Sequence, residues 1–245
     1  MKRNAIYVES LIDTTVDEVW ARTQEPAVHK RWDVRFTEID YLPLAEGEPQ
    51  KFVYATTVAP GITIDGCGET LGERHRADGT AYSGLTFWSD HPISLIKEGA
   101  GYWRYVPTEN GVRFLTRYDY RVRWGAFGQL VDRLIFRPVF GWGTAWSFDR
   151  LRLWIEKGIT PERSRNYSIT YVATLLTVLS LSASHLVANG PTTPNTTLSL
   201  AISGLVAAAL LLRRDLPSGR RPLRQPATRR PTTTRIQVQQ KAALS

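Results

Sequence analysis

Apolar and polar side chains alternate along much of the first 125 residues, which predicts β-strands with one buried face. The clearest run is 112–124, where aromatic and β-branched residues alternate with a row dominated by arginine. Gly, Pro and Asn turn signals, such as the one at Asn110-Gly111, separate it from earlier runs. The predicted strands are 6–12, 34–41, 51–58, 62–73, 80–89, 100–106 and 112–124. Gly66 and Gly68 predict a bulge or sharp bend in the fourth strand.

The helical pattern is concentrated in two short segments and one long one. Thr14 or Thr15 can cap a short helix, and a second begins at Glu25-Pro26 and ends near Trp32. The long segment covers 127–158, where Pro138 predicts a break near Arg137 and a main helix that begins near Gly141 or Thr144.

The long helix carries two apolar stripes. At about 100° per residue, one face gathers six small or apolar residues, namely Gly141, Thr144, Ala145, Phe148, Leu151 and Ile155. Trp142, Trp146 and Leu153 form a second stripe roughly opposite. One stripe packs on a core, so the second needs another partner. We predict that this partner is the membrane interface or a membrane hairpin, where tryptophan is favoured.

The alternation turns a set of aromatic side chains toward the inside of the sheet. A seven-stranded antiparallel sheet that closes around one helix leaves a cavity between them, with the helix residues Thr144 and Phe148 nearest any ligand. The predicted cavity residues are Tyr54, Trp88, Trp103, Tyr105, Tyr118, Thr144 and Phe148. The small residues around Gly143 either leave volume for a ligand or allow the helix to pack closely on the sheet.

The opening of the chain resembles a known family. Residues 12–20 (IDTTVDEVW), followed by Glu25-Pro26 and Trp32, are similar to the start of the START-like superfamily (SRPBCC, Bet v 1-like, polyketide cyclase/dehydrase). Glu25 stands where many members have Asp. The resemblance covers residues 4–160 and implies an α+β helix-grip fold with a hydrophobic pocket for a lipid, polyketide or other apolar molecule. It implies no universal catalytic residue and no cofactor.

The sequence offers no recognisable catalytic or metal-binding motif. His29, His75, His91 and His185 lack metal-ligand spacing, and Cys67 is the only cysteine. Asp119 lies on the arginine face, where a salt bridge with Arg117 or Arg121 is expected. We therefore favour binding of an apolar ligand over catalysis. Two alternatives stay open: a cyclase- or aromatase-type enzyme acting on a membrane-soluble substrate, and an interaction module with no room for a ligand.

Charge divides the chain into three parts. Through residue 165, 22 Lys and Arg balance 22 Asp and Glu, which disfavours nucleic-acid binding; the entire net charge of +8 comes from residues 213–245. Residues 167–188 and 197–212 are uncharged and apolar, as two transmembrane helices require. The predicted units are a ligand-binding domain (1–160), a membrane hairpin (161–214) and a disordered basic tail (215–245).

Basic residues at both ends of the hairpin predict its orientation. Arg163 and Arg165 precede the first span, Arg213 and Arg214 follow the second, and the loop between them has no charge. The positive-inside rule then places the domain and the tail in the cytoplasm, anchored to the inner (plasma) membrane.

Overall fold

The computed structural model describes residues 5–44, 46–189, 201–202, 204–209 and 213–226. Seven strands and four helices form the front domain. In chain order they are β1 (Ile6–Ile12), α1 (Val16–Gln24), α2 (Pro26–Trp32), β2 (Glu38–Tyr41), β3 (Lys51–Ala59), β4 (Ile62–His75), β5 (Ala81–Trp88), β6 (Ile96–Thr108), β7 (Gly111–Val122), α3 (Gly125–Val131) and α4 (Arg137–Lys157). A further helix, α5 (Pro161–Asn189), follows them.

The sheet is antiparallel throughout, with the strand order β1-β7-β6-β5-β4-β3-β2. Its inner face and the predicted core stripe of α4 share one hydrophobic cluster, in which Phe148 and Leu151 pack with Val8 and Phe114. The Phe114 and Phe148 rings stack with their centroids 4.5 Å apart. A seven-stranded sheet that grips one long helix is the helix-grip fold, so the predicted fold class is confirmed for this part of the chain.

The segment before α4 differs from the prediction. A π-helical turn, Asp132–Phe136, joins α3 to α4 without a break, and Pro138 lies in the first turn of α4. Pro138 lacks a backbone N–H, and it directly follows the π turn, where the regular α-helical hydrogen-bond ladder is already interrupted. The helix therefore begins at Arg137 rather than near Gly141, and the irregularity lies in the π turn.

The two β4 glycines have a different role from the predicted bulge. Gly66 pairs with Tyr54 and Gly68 with Phe52, and a Cβ at either glycine would lie 2.3 Å from the ring of its partner. The missing side chains thus make room for aromatic rings that cover the glycines. The register shift in β4 occurs instead between Thr70 and Gly72, where Gly72 has φ +128°.

One helix of the described chain has the length and composition needed to cross a membrane. The candidate span is Pro161–Ser184, within α5, and it overlaps the predicted first span at 167–188. Most of its side chains face away from the rest of the protein. The predicted second span, 197–212, lies partly outside the described residues; residues 201–202 and 204–209 are helical.

The prediction of a disordered tail from residue 215 is wrong for the part that the structure describes. Residues 213–226, here named the return segment, lie against the front domain. Leu223 forms an antiparallel bridge with Glu9 on the edge strand β1, and Leu216 is buried. A Pro- and Arg-rich composition suggests disorder. Here Arg221 and the Ser218 backbone N–H donate to the buried carboxylate of Asp149, and the Leu223 N–H donates to the Glu9 carbonyl on the sheet edge. Residues 227–245 lie outside the described chain.

Candidate ligand cavity

A cavity of about 550 Å³ lies between the inner face of the sheet and the helices α2 and α4. Its wall is predominantly aromatic and aliphatic, with Phe36, Ile39, Phe52, Phe87, Leu85 and Phe140 among the contributing side chains. Val34, Val58, Val139 and Trp142 line the cavity and are also exposed to solvent, so they mark its mouth. A cavity of this size and polarity suits a small organic molecule.

Three of the seven predicted cavity residues lie on its wall: Tyr54, Trp103 and Tyr118. Their contact with a ligand remains a prediction. The Tyr54 hydroxyl donates to the Trp88 carbonyl, and the Tyr118 hydroxyl lies 2.6 Å from that of Thr144. Burial raises the pKa of both tyrosines, so the two hydroxyls remain protonated.

Four predicted cavity residues lie elsewhere. Tyr105, Thr144 and Phe148 are fully buried in packed core. Phe148 stacks on Phe114 and Thr144 bonds Tyr118, whereas the Tyr105 hydroxyl bonds Thr23 and Gln24 of α1. Trp88 is absent from the wall because its neighbour Phe87 takes the inward position on β5. Phe87 pairs with Gly99, where a Cβ would lie 2.4 Å from the Phe87 ring. The glycine opposite is the sequence signal that distinguishes the two aromatics.

The second stripe of α4 does not form a membrane-facing surface as a set. Leu153 is fully buried, Trp146 is partly buried, and Trp142 is half-exposed at the cavity mouth. The return segment accounts for this, because Gly219 lies against Trp142 so closely that a Cβ would be 2.7 Å from the indole ring. The partner of the second stripe therefore includes the chain's own return segment.

A buried ion pair forms part of the cavity wall, and sequence reasoning missed it. Arg35 lines the cavity, and its Nε and Nη2 donate to the two carboxylate oxygens of Asp33 at 2.9 and 2.5 Å. Asp33 also accepts from His29 Nε2 at 3.2 Å and from Ser147 Oγ at 3.2 Å. The available signal was an acid and a base two residues apart between Trp32 and Phe36, in a strongly apolar neighbourhood.

The charges of this cluster are set by burial and by each other. Burial opposes ionisation of Asp33, but the charge and hydrogen bonds of Arg35, with the bond from His29, hold the pKa of the carboxyl far below its usual range. Burial lowers the pKa of His29, and its bond to Asp33 offsets only part of this effect. The favoured state is therefore a carboxylate, a guanidinium and a neutral imidazole that carries its proton on Nε2.

Aromatic rings surround the Arg35 guanidinium. Its central carbon lies 5.4 Å from the centroid of the Phe36 ring and 5.6 Å from those of Tyr118 and Phe140. Thr144 Oγ1 donates its single proton to the Phe140 carbonyl at 2.9 Å, so Tyr118 is the donor in the Tyr118–Thr144 bond. The guanidinium is thus held in a fixed position in the wall by its carboxylate and by three ring faces.

A second polar cluster fixes the helical segment at the mouth. Tyr120 donates to Asp132 at 2.6 Å, and Arg137 contacts both Asp132 at 3.0 Å and Asp119 at 3.3 Å. Asp119 points outward as predicted, but its partner is Arg137 rather than Arg117 or Arg121. These bonds join β7 to the π turn. Within the described residues, no cluster of His, Cys, Asp or Glu is placed to hold a metal ion.

No protein-family model matches the chain. The uncharacterized membrane protein YndG of Bacillus subtilis (strain 168) is 47% identical over 173 residues, and the alignment covers 70% of this chain and 65% of that protein. The chain thus spans slightly less than two thirds of the length of this curated relative.

Solved structures with a similar arrangement include the Zhui aromatase/cyclase from Streptomyces sp. R1128, with a TM-score of 0.43, 11% identity and coverage of 60% of this chain and 95% of that one. Human StAR-related lipid transfer protein 5 has a TM-score of 0.41 and 18% identity, with coverage of 55% and 69%. At these TM-scores the likenesses carry no functional inference. The helix-grip assignment rests on the strand order and on the position of α4.

Proposed function

We propose that this chain is a membrane-anchored domain that binds an apolar small molecule or lipid in the cavity between its sheet and α4. The observation that carries the proposal is the cavity of about 550 Å³ with a largely apolar wall. Ligand-binding pockets are commonly about 300–1,000 Å³, mostly apolar, with a few polar groups that fix orientation. A cavity of this size argues against the alternative that the domain is an interaction module with a fully packed interior.

The ion pair in the wall narrows the ligand class. Two nitrogens of Arg35 bond Asp33, and the guanidinium also interacts with the Tyr118 hydroxyl, while Nη1 takes no part in the bonds to Asp33. Because the charge of Asp33 balances that of Arg35, the pair favours an uncharged oxygen acceptor, such as a carbonyl, ester or hydroxyl group, over a full anion. We expect an elongated or ring-shaped apolar ligand with one such group near Arg35.

A cyclase- or aromatase-type enzyme is the second candidate, and His29 is the observation that favours it. His29 lines the cavity, stays neutral and is oriented through Nε2 by Asp33, as a general base held by a carboxylate would be. Under this alternative, His29→Gln would change the chemical identity of the molecules that co-purify with the protein. Under simple binding, the variant would carry the same molecules as the wild type.

The membrane anchor and its orientation belong to the same proposal. The apolar candidate span in α5 supports one crossing. Lys157 before α5 and Asp215 in the return segment form an ion pair with Nζ and Oδ1 3.0 Å apart, so the intervening chain leaves the domain and comes back to it. A segment whose two ends meet on one domain crosses a bilayer an even number of times. With the basic flanks, this supports a two-span hairpin and a cytoplasmic domain at the inner membrane.

Native mass spectrometry of the full-length protein, released from lipid nanodiscs, tests the proposal. We expect an extra mass from one bound small molecule, and organic extraction should identify it as apolar with an oxygen-bearing end. If the protein is empty and also fails to bind added apolar fluorescent probes, the binding proposal is wrong.

A further inference from the structure

Seven large apolar side chains between residues 124 and 142 are exposed beside the cavity mouth. They are between 46% and 66% exposed and are named here the apolar ridge: Trp124, Phe127, Leu130, Leu134, Ile135, Val139 and Trp142. Single exposed apolar residues are normal, but this many along one helical segment mark a site of interaction. Val139 and Trp142 belong both to the ridge and to the cavity wall.

The backbone is arranged to present these side chains. The π turn adds a residue to one helical turn and rotates the following helix, which brings Val139 and Trp142 toward the side that carries Phe127 and Leu134. At the start of the ridge, Trp124 has φ 64°, an unusual value for a bulky residue. Its ring lies beside that of Phe127, with centroids 6.4 Å apart. Strained backbone of this kind recurs at functional sites.

The charges around the ridge suit an anionic surface. Asp132 is the only acidic residue in 120–148, and it is buried in bonds with Tyr120 and Arg137. Arg133 is exposed within the segment, whereas Arg121, just before it, is exposed but pairs with Glu98 at 3.0 Å. An apolar helical face flanked by arginine is typical of segments that lie in the headgroup region of a bilayer.

The ridge is close to the proposed anchor. Arg150 on α4 donates to the carbonyl of Pro161, the first residue of α5, at 2.6 Å. Val139 lies eleven residues before Arg150, which corresponds to a rise of about 16 Å along the helix. A domain tethered at this distance stays within reach of the bilayer surface, so even weak insertion becomes favourable.

From these observations we infer that the apolar ridge inserts into the bilayer that holds α5, so that the cavity mouth opens toward lipid rather than toward water. The inference rests on the proposed membrane anchor. It does not require a ligand in the cavity, so ligand binding and ridge insertion can fail separately.

Site-directed spin labelling of the full-length protein in liposomes that contain anionic lipid tests the inference. In a Cys67→Ser background, nitroxides are attached at Phe127→Cys or Leu134→Cys on the ridge. Leu176→Cys on α5 reports on the anchor, and Glu109→Cys in the exposed β6–β7 turn reports on the water-facing surface. The measurement is the collision rate with oxygen, which partitions into lipid, and with a water-soluble nickel chelate.

The inference predicts that the ridge labels match Leu176, with high oxygen accessibility and loss of chelate accessibility. Phe127→Glu should restore chelate access at Leu134, whereas Leu71→Glu, an exposed leucine on β4, should not. Ridge labels as open to the chelate as Glu109, with Leu176 protected, would overturn the inference and leave the anchor intact. An unprotected Leu176 would overturn both. Spin–spin broadening that disappears when unlabelled protein is added would overturn insertion in favour of self-association.

Discussion

Arg221 donates a hydrogen bond of 2.6 Å to Asp149 and joins two parts of the chain that are 72 residues apart. Asp149 is fully buried on α4, and it also accepts from the Ser218 backbone N–H at 2.7 Å and from Arg152 at 2.9 Å. A buried carboxylate is stable only with several donors, so the return segment completes the outer side of α4. The same segment continues to the edge of β1, where Leu223 pairs with Glu9.

Arg221→Ala should release the return segment while the front domain stays folded. Because Asp149 keeps its hydrogen bond with Arg152, we expect the free energy of unfolding to fall by only about 1–3 kcal/mol. We also expect faster hydrogen exchange at the backbone amides of Glu9 and Leu223. Mass-spectrometric hydrogen exchange on the full-length protein measures this. Arg220→Ala is the matched control, because the Arg220 side chain is exposed. Equal exchange in the two variants would contradict a structural role for the contact.

The effects of substituting Asp33 and Arg35 on stability should be strongly coupled. Arg35→Met leaves the Asp33 carboxylate buried without its cation and should cost about 3–5 kcal/mol of stability. Adding Asp33→Asn removes the uncompensated charge and keeps an acceptor for His29 and Ser147, so most of this stability should return. Thermal unfolding of the single and double variants measures the coupling. A double variant as unstable as Arg35→Met would contradict the pairing.

The double variant also separates the structural role of the pair from its role in binding. If Arg35 contacts the oxygen-bearing end of the ligand, the refolded double variant should bind apolar probes that have a carbonyl group more weakly than the wild type does. Its affinity for pure hydrocarbon probes should be unchanged. An equal loss for the two probe classes would argue against Arg35 as the polar contact.

Stability should depend on pH through His29. Its folded-state pKa lies below the ordinary value of 6.5, because burial disfavours the charged imidazole. The folded state therefore binds fewer protons than the unfolded state, and stability is lost as the pH falls below about 6.5. His29→Gln should flatten this slope. Unfolding monitored between pH 7.5 and pH 5, about 1 unit above and about 1.5 units below the ordinary histidine pKa, measures the change.

Glu162 provides a control in a different pH window. Its hydrogen bond with Arg31 lowers its pKa to about 2, so its contribution is lost only as the pH falls below the ordinary glutamate value of 4.5. Because this pair is largely exposed, its effect on stability should be small. Glu162→Gln should leave the slope above pH 5 unchanged, about half a unit above that ordinary value. If it flattens that slope as His29→Gln does, the assignment to His29 is wrong.

The topology prediction follows from the Lys157–Asp215 contact. Because the two residues lie together, reporters fused before residue 5 and after residue 226 should be on the same side of the membrane. A protease-sensitive tag inserted between residues 192 and 193 should be on the other side. Protease protection in sealed vesicles gives the answer. If all three tags are cleaved by protease added on the same side of the membrane, the two-span hairpin is contradicted.

The sequence pattern predicts the architecture better than it predicts the site. Alternation gives β1 with its observed bounds, and Thr15 caps α1 through the Glu18 N–H as expected. Alternation cannot say how deeply an inward residue is buried, which is why Thr144 and Phe148 are core rather than cavity wall. That depth depends on how the side chains of α4 pack against those of the sheet, such as Phe148 on Phe114.

The remaining differences come from long-range contacts. The identity of the inward aromatic on β5 depends on Gly99 of the neighbouring strand, and the order of the return segment depends on Asp149. The local pattern of apolar and polar residues shows neither of these contacts. Asp33 and Arg35 look like ordinary loop charges in sequence, and only the fold shows that their pair is part of the cavity wall.

Gly143 provides the most direct test of the ligand cavity. It lines the cavity in α4, and a Cβ there would meet no atom within 4 Å. Replacing a helical glycine should raise stability by up to about 1 kcal/mol, so neither Gly143→Leu nor the smaller control Gly143→Ala should unfold the protein. The measurement is the molar ratio of bound ligand to protein, by native mass spectrometry of both variants and the wild type. If the ligand occupies this cavity, the ratio should be full for the wild type and Gly143→Ala and markedly lower for Gly143→Leu, at equal or higher melting temperature. An unchanged ratio in Gly143→Leu would contradict a ligand in this cavity.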